Sequence, residues 1–311
     1  MSTMIEVKDL TKRYKKAEVN AVDGISFTVR EGEFFVLLGP NGAGKTTTVS
    51  IMTTTLSPTS GTVLIAGLDL VRDAGRARQS LGIIFQNPSL DLNLTAEENV
   101  RFHAVLYGLY PFRPTFSTMP RRYRQQVHDL AAVLGLEKEI FKPVKKFSGG
   151  MKRKLEIVRS LIHRPEVLFL DEPTSGLDAG SRRKLWGYLS EVRRDHNTTI
   201  FLTTHYIEEA EGADTVCILN KGKIVSIGSP AQVKADLIDE TIVIDAVDRN
   251  RLRSELERLC IPFSENGMFK VSPGGRSVHE LIRSIETPLS MVNTHSPTLE
   301  DAYLEIVEEA R

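Results

Sequence analysis

The chain has 311 residues, 41% of them hydrophobic, enough for one large domain or two modest ones with a sizeable core. Lys plus Arg and Asp plus Glu both number 40, and this zero formal charge argues against a protein built mainly to grip nucleic acid, which shows a basic excess. No apolar run approaches the ~20 residues of a membrane-spanning helix, and MSTMIEVKDLTKR lacks the apolar stretch of a signal peptide, so the expectation is a soluble chain whose membrane role, if any, comes from a partner.

Residues 4–10 and 25–29 alternate polar and apolar side chains, which predicts a small antiparallel sheet. Residues 33–38 (EFFVLL) then form a short apolar run suited to a strand buried on both faces. Directly after it comes GPNGAGKTT, that is Gly39, Pro40, Asn41, Gly42, Ala43, Gly44, Lys45, Thr46 and Thr47, in the GxxxxGK[ST] spacing, with a helix predicted to start near Gly44. Glycines there let backbone N–H groups ring a phosphate, and the helix N-terminus beneath adds positive potential. In that arrangement Lys45 reaches the β and γ phosphates and the Thr46 hydroxyl sits on Mg²⁺, a cation that seeks oxygen ligands.

Further strands are predicted at 62–65 and 83–85. Thr95 followed by Glu98 is a capping box opening a helix over AEENVRFHAVLYGL. Pro111, Pro114 and Pro120 mark a loop, and residues 121–134 are helical again. Residues 95–162 thus form a helix-rich block inserted between sheet elements at 167–170, 199–202 and 215–219, with a helix over 181–194. NKGK at 220–223 turns the chain into 224–227, a hairpin signal. Beyond Pro230 the pattern changes to strands at 241–247, 269–271 and 291–294, helices at 249–259 and near 278–285, and a last helix capped by Ser296 or Thr298. The predicted class is α/β, with a mixed sheet core, an antiparallel β subdomain and an inserted helical subdomain over 1–235, and a small α+β appendix over 236–311.

Two stretches carry chemistry besides the glycine loop. VLFLDEP ends a buried strand in two acids: Asp171 fits the Mg²⁺ shell, and Glu172 fits the group that orients or deprotonates an attacking water, which makes hydrolysis the expectation. FSGGMKRKLEIVRS places Ser148, Gly149 and Gly150 at a helix start, where backbone N–H groups approach an anion; composition alone favours a plain Ser N-cap with a glycine turn, and the position about twenty residues before DEP turns the balance toward a second phosphate-binding helix start. The two cysteines, Cys217 and Cys260, form no CxxC pair and are expected to be buried free thiols rather than a disulfide or metal site. Arg113, Arg121, Arg122 and Arg124 cluster around the proline loop as a solvated face or a contact for lipid headgroups or a membrane partner.

Ser148-Gly149-Gly150 before a basic helix, followed by DEPTSGLD from Asp171 to Asp178, resembles the signature block of the ABC (ATP-binding cassette) ATPases. His205 in LTTHYIEEAE, Gln86 in IIFQNPSL and Tyr14 in LTKRY fall in family order, so that the matching motifs span residues 4–230. SGGM, LSPTSG from Leu56 and the terminal PTLEDAYLEI are similar to the drug-resistance (daunorubicin-type) branch, the ATPase subunits of ABC-2 type exporters. Phe147 and Met151 depart from the usual signature leucine and glutamine. The resemblance implies an ATPase using ATP and Mg²⁺, peripheral on the cytoplasmic face of the cell membrane. It implies two chains, of which one kind suffices, closing over two ATP molecules, and multi-span transmembrane permease subunits contacted through residues 86–100. It also implies roles: Tyr14 stacks on adenine, Gln86 joins Thr46 and Asp171 toward Mg²⁺ and links the nucleotide to the transport partner, and Glu172 serves the water. His205 stands near the γ phosphate, Ser148 and Gly150 act on the other chain's nucleotide, and Asp178 bridges the two sites. A soluble ABC-type ATPase working on ribosomes or DNA is the alternative; no second cassette or splitting coiled coil is visible for it, and the neutral charge counts against it.

Overall fold

The computed structural model describes residues 2–85, 89–174, 177–237, 241–265, 267–272, 278–295, 298–300 and 303. The chain divides into two compact units, Met1–Val225 and Ser226–Arg311.

The first unit begins β1 (Thr3–Lys12), β2 (Val22–Arg30), β3 (Phe34–Leu38), α1 (Lys45–Met52), β4 (Ser60–Ile65), β5 (Leu68–Asp69), α2 (Ala74–Ala77) and β6 (Leu81–Ile84). The helical block follows as α3 (Ala96–Leu106), α4 (Arg121–Leu134) and α5 (Gly149–Leu161). The chain then returns to the sheet through β7 (Val167–Asp171), α6 (Ala179–His196), β8 (Thr199–Thr204), α7 (Ile207–Ala210), β9 (Thr215–Asn220) and β10 (Lys223–Gly228).

β1, β2, β4 and β5 make an antiparallel sheet of order β2-β1-β4-β5, in which Val7 pairs with Phe27 on one side and Val63 on the other. A six-stranded sheet has the order β10-β9-β3-β8-β7-β6, with β3 parallel to both β8 and β9, and β7 parallel to both β6 and β8. Every residue of β7 and β8 is buried, as their unbroken apolar and β-branched character requires of strands covered on both faces. Phe27, Phe35, Phe201 and Phe169 run ring against ring through the core between the sheets, with successive centroids 5.2, 5.1 and 5.4 Å apart. The expected hairpin is a two-residue turn in which Lys221 (φ 47°) and Gly222 (φ 81°) are both left-handed, the geometry whose twist matches the flanking strands.

The Thr95–Glu98 capping box is formed in full, each side chain accepting from the other's backbone N–H. α4 spans the predicted residues and ends at Gly135 in the left-handed region. The strand expected at 83–85 sits at 81–84, because pairing in register with β7 starts at Leu81. α2 was not visible in the sequence: four residues do not complete an amphipathic period.

In the second unit, α8 (Pro230–Leu237), β11 (Thr241–Ala246), α9 (Arg249–Arg258), β12 (Phe263–Glu265), β13 (Phe269–Val271), α10 (Val278–Ser284) and β14 (Leu289–His295) build an antiparallel sheet of order β12-β13-β11-β14 with its own core of Ile242, Ile244, Leu252, Leu256, Phe269 and Val271. α8 went unpredicted although its signal was present: Ser229 and Gln232 exchange side-chain to backbone hydrogen bonds around Pro230, a capping box with proline in the first turn. Of the expected last helix, Leu299, Glu300 and Tyr303 are helical, Thr298 precedes them, and Ser296 lies outside the described residues. One expectation is overturned. Cys217 is a buried free thiol in β9, but Cys260 is free and exposed, because the chain leaves α9 through a left-handed turn at that residue (φ 51°) instead of continuing the apolar face.

Candidate nucleotide site

The loop between β3 and α1 holds its shape for local reasons. Gly42 (φ 81°) and Gly44 (φ 107°) take left-handed backbone conformations, and a Cβ on Gly44 would stand 2.4 Å from the Ala21 carbonyl oxygen. A Cβ on Gly39 would meet the Leu219 carbonyl oxygen at 2.2 Å, so that glycine is needed for the close approach of β9. Lys45 is buried, and its Nζ donates to the carbonyls of Gly39 at 2.6 Å and Pro40 at 3.1 Å, wrapping the loop around its own ammonium. Burial pushes the Lys45 pKa below the usual lysine range, while Glu172 and Asp171 act in the opposite sense. A cleft of about 340 Å³ opens over the loop, lined by Asn41, Gly42, Lys45, Thr46, Thr47 and Glu172 among others. Beside it, a second cleft is shared by Tyr14 and Gly42, and the Tyr14 hydroxyl lies 3.2 Å from Thr47 Oγ1. Tyr14 is 46% exposed, with the Lys12 ammonium 5.7 Å from the centroid of its ring.

The two acids differ in surroundings. Asp171 ends β7 fully enclosed, its Oδ1 accepting the Thr203 hydroxyl of β8; burial raises its pKa, against which the Thr203 hydrogen bond acts. Glu172 follows in a left-handed conformation (φ 47°) that a residue with a Cβ adopts at a cost of about 1–2 kcal/mol. The surroundings hold it there: its N–H donates to the Thr203 carbonyl at 3.0 Å, and its side chain leaves the strand to line the cleft. Glu172 Oε1 stands 3.0 Å from His205 Nδ1, just past the end of β8. Parallel neighbours β7 and β8 thus deliver the two side chains to the same end of the sheet.

Ser148 caps α5, its Oγ accepting from the Met151 N–H at 3.3 Å. Ser148 and Gly149 are exposed and outside the cleft's lining, and a Cβ on Gly149 would meet nothing within 4 Å. Phe147, in place of leucine, is buried and fills the same apolar role. Gly150 follows in the first turn of α5. Asp178 is exposed and caps α6: the Ser181 hydroxyl donates to it at 2.5 Å and the Ser181 N–H at 2.8 Å, and together they hold its carboxyl below the usual carboxylate range. Gln86 lies outside the described residues, as do Ser175 and Gly176.

The sequence reading missed Thr203 and Arg153. Thr203 gave no signal beyond β-branching in a strand. Arg153, one of several basic residues in MKRKLEIVR, is 4% exposed; only tertiary structure distinguishes it from its solvated neighbours.

Comparison with known proteins gives the family. The family model described as ABC transporter matches residues 22–175. Over 233 residues the chain is 39% identical to the probable multidrug ABC transporter ATP-binding protein YbhF of Escherichia coli K12, covering 75% of this chain but 38% of that protein, so the chain spans well under half of that relative. It is 38% identical over 246 residues to the Nod factor export ATP-binding protein I of Ralstonia nicotianae, covering 79% of this chain and 72% of that one. Among solved structures it is similar, with a TM-score of 0.66 and 26% identity, to the dimeric post-hydrolysis state of the ATP-binding cassette MJ0796 bound to ADP and Pi, covering 73% of this chain and 98% of that chain. The fold is that of the ABC ATPase cassette. The chain belongs to the family of ABC transporter ATP-binding proteins.

Proposed function

We propose that this chain is the ATP-hydrolysing motor subunit of an ABC exporter, working at the cytoplasmic face of the cell membrane. Two copies pair around two ATP molecules, and the cycle of pairing and release drives multi-span transmembrane permease subunits. Residues 1–235 act as the cassette and 236–311 as an accessory module. One observation carries the reading: Glu172 lines the cleft over the Lys45 loop and at the same time meets His205 at 3.0 Å, so a carboxyl group held by a histidine stands beside a cation-bearing anion cradle.

In this reading Lys45 exchanges its contacts with the Gly39 and Pro40 carbonyls for phosphate oxygens, and the loop N–H groups with the start of α1 hold the rest of the triphosphate. Tyr14 offers its exposed ring to the base. Thr46 and Asp171 are oxygen donors of the kind Mg²⁺ accepts, with Gln86 as a third, and the ion would neutralise phosphate charge. Glu172 orients or deprotonates the attacking water while His205 fixes the carboxylate on one side. Phosphoryl transfer asks mostly for positioning and charge, so completion of the site by pairing is itself the control step. The exposed Ser148 helix start supports a site shared between chains: among the described residues nothing lies within 4 Å of a Cβ placed on Gly149, which leaves the helix start open to a phosphate from a second copy. Asp178, at the exposed start of α6, is suited to contact across the same pair.

The test is the association state of the Glu172→Gln chain by light scattering. Pairing that requires ATP with Mg²⁺ is expected, together with copurification of a multi-span subunit from detergent-solubilised membranes. A chain that stays single with ATP bound, alone and with its membrane partner, refutes the shared site.

A further inference from the structure

Arg153 is buried in the first half of α5, and its guanidinium donors go to backbone carbonyls and to one carboxylate. Nε donates to the Pro173 carbonyl at 3.0 Å, and Nη2 to the carbonyls of Asp171 at 2.8 Å and Glu172 at 3.0 Å. Nη1 donates to the Phe85 carbonyl and, at 3.1 Å, to Glu156 Oε2. One side chain thus grips the end of β7 and the segment leaving β6. Glu156, 1% exposed, carries the grip further: its Oε1 accepts from the Ser89 N–H at 2.9 Å. Arg159 donates to the Ser89 carbonyl at 2.5 Å and hydroxyl at 2.8 Å. Arg153, Glu156 and Arg159 recur at three-residue spacing, which puts them along one side of the helix. Together they hold Phe85 and Ser89, the residues that flank 86–88 in the chain, and the carbonyls on both sides of the strained Glu172 turn.

We propose that Arg153 is a positioning residue for ATP hydrolysis: it fixes the left-handed turn that presents Glu172 and ties that turn to the segment leaving β6, with Glu156 orienting the guanidinium. The proposal rests on the assignment of Glu172 made above. Ser148 lies five residues earlier on the same helix, ~7.5 Å along its axis. A displacement of the Ser148 end therefore reaches the Glu172 turn through one rigid element and one side chain. Guanidinium is suited to this because its planar fork reaches several carbonyls at once, whereas an ammonium on a flexible stem serves a single point. A Glu172 carboxylate misplaced by about 1 Å is enough to cost on the order of a hundredfold in rate.

The experiment uses the full chain with Arg153→Lys and, separately, Glu156→Gln, which leaves the guanidinium in place and removes the charge that orients it. Steady-state hydrolysis, and the affinity and stoichiometry of a fluorescent ATP analogue, are measured for each. Arg153→Lys is expected to lower kcat by ~10- to 100-fold with nucleotide affinity within about twofold and full stoichiometry, and Glu156→Gln to lower kcat less. Added to Glu172→Gln, Arg153→Lys should produce no further loss, since both act through the same carboxylate. Three results overturn the proposal: kcat within twofold of the unsubstituted chain in both variants, losses that track the fraction of protein able to bind nucleotide, or losses that multiply with Glu172→Gln. Full hydrolysis by Glu172→Gln alone is a different failure, which removes the assignment of Glu172 and this proposal with it.

Discussion

Replacing Glu172 by glutamine isolates one property of the site. Gln keeps the length and planar end of the side chain, and its Oε1 still accepts from His205 Nδ1, which stands 3.0 Å away in the structure. The backbone restraints on the turn, the Glu172 N–H on the Thr203 carbonyl and its own carbonyl on Arg153, do not involve the side chain at all. What disappears is basicity toward water, a contribution of about 10²–10⁴ in rate, or roughly 3–5 kcal/mol of activation free energy at ~1.4 kcal/mol per tenfold. Binding should be nearly untouched, because in the proposed site Lys45, Thr46 and the loop N–H groups hold the phosphates without the carboxylate. Phosphate release by the purified full chain should therefore fall by two or more orders of magnitude while nucleotide affinity stays within about threefold. The reasoning is refuted if the variant turns over ATP at more than a tenth of the original rate, or if it loses nucleotide binding to the same degree as turnover.

Other consequences follow from single features. Thr95→Ala removes the cap of α3 and should lower stability by about 1 kcal/mol, read as a shift of the urea midpoint without change in slope. Burial pushes the Cys217 thiol up to about 12, so at pH 8 one thiol per native chain, Cys260, should react with a soluble thiol reagent and two after denaturation. Burial, with Arg159 and His163 adding to it, depresses His103 to about 3. The unfolded chain therefore binds a proton there that the native chain refuses, so below the ordinary histidine range this residue removes about 1.4 kcal/mol of stability per pH unit. Urea titrations at pH 7 and 5.5 should show that fall, and His103→Phe should lessen it, leaving the part that comes from His163, which burial also depresses.

The site and the fold were legible to different depths. The glycine loop was readable because Gly39, Gly42, Gly44, Lys45 and Thr46 fall in one short spacing over a strand-to-helix turn, although the close approaches of Leu219 to Gly39 and of Ala21 to Gly44 are tertiary. The capping box at Thr95, the α4 span and the Lys221-Gly222 hairpin were readable for the same reason, since each is a pattern over a few adjacent residues. Short elements such as α2 and β12 fall below the length at which periodicity speaks, and Pro230, which reads as a boundary, hides the Ser229 capping box.

By itself the amino-acid sequence determined where the glycine loop, its lysine and the two acids fall, and that helices interrupt the sheet. The tertiary structure decided what those acids experience: that Asp171 is sealed against Thr203, that Glu172 stands in a left-handed turn facing His205, and that Arg153 is a buried clamp and not one more surface cation. It also reversed the expectation for Cys260. The division has a physical cause. Backbone conformation and capping depend on neighbours along the chain, whereas burial, pKa and the partners of a long side chain depend on which strands the sheet order sets side by side.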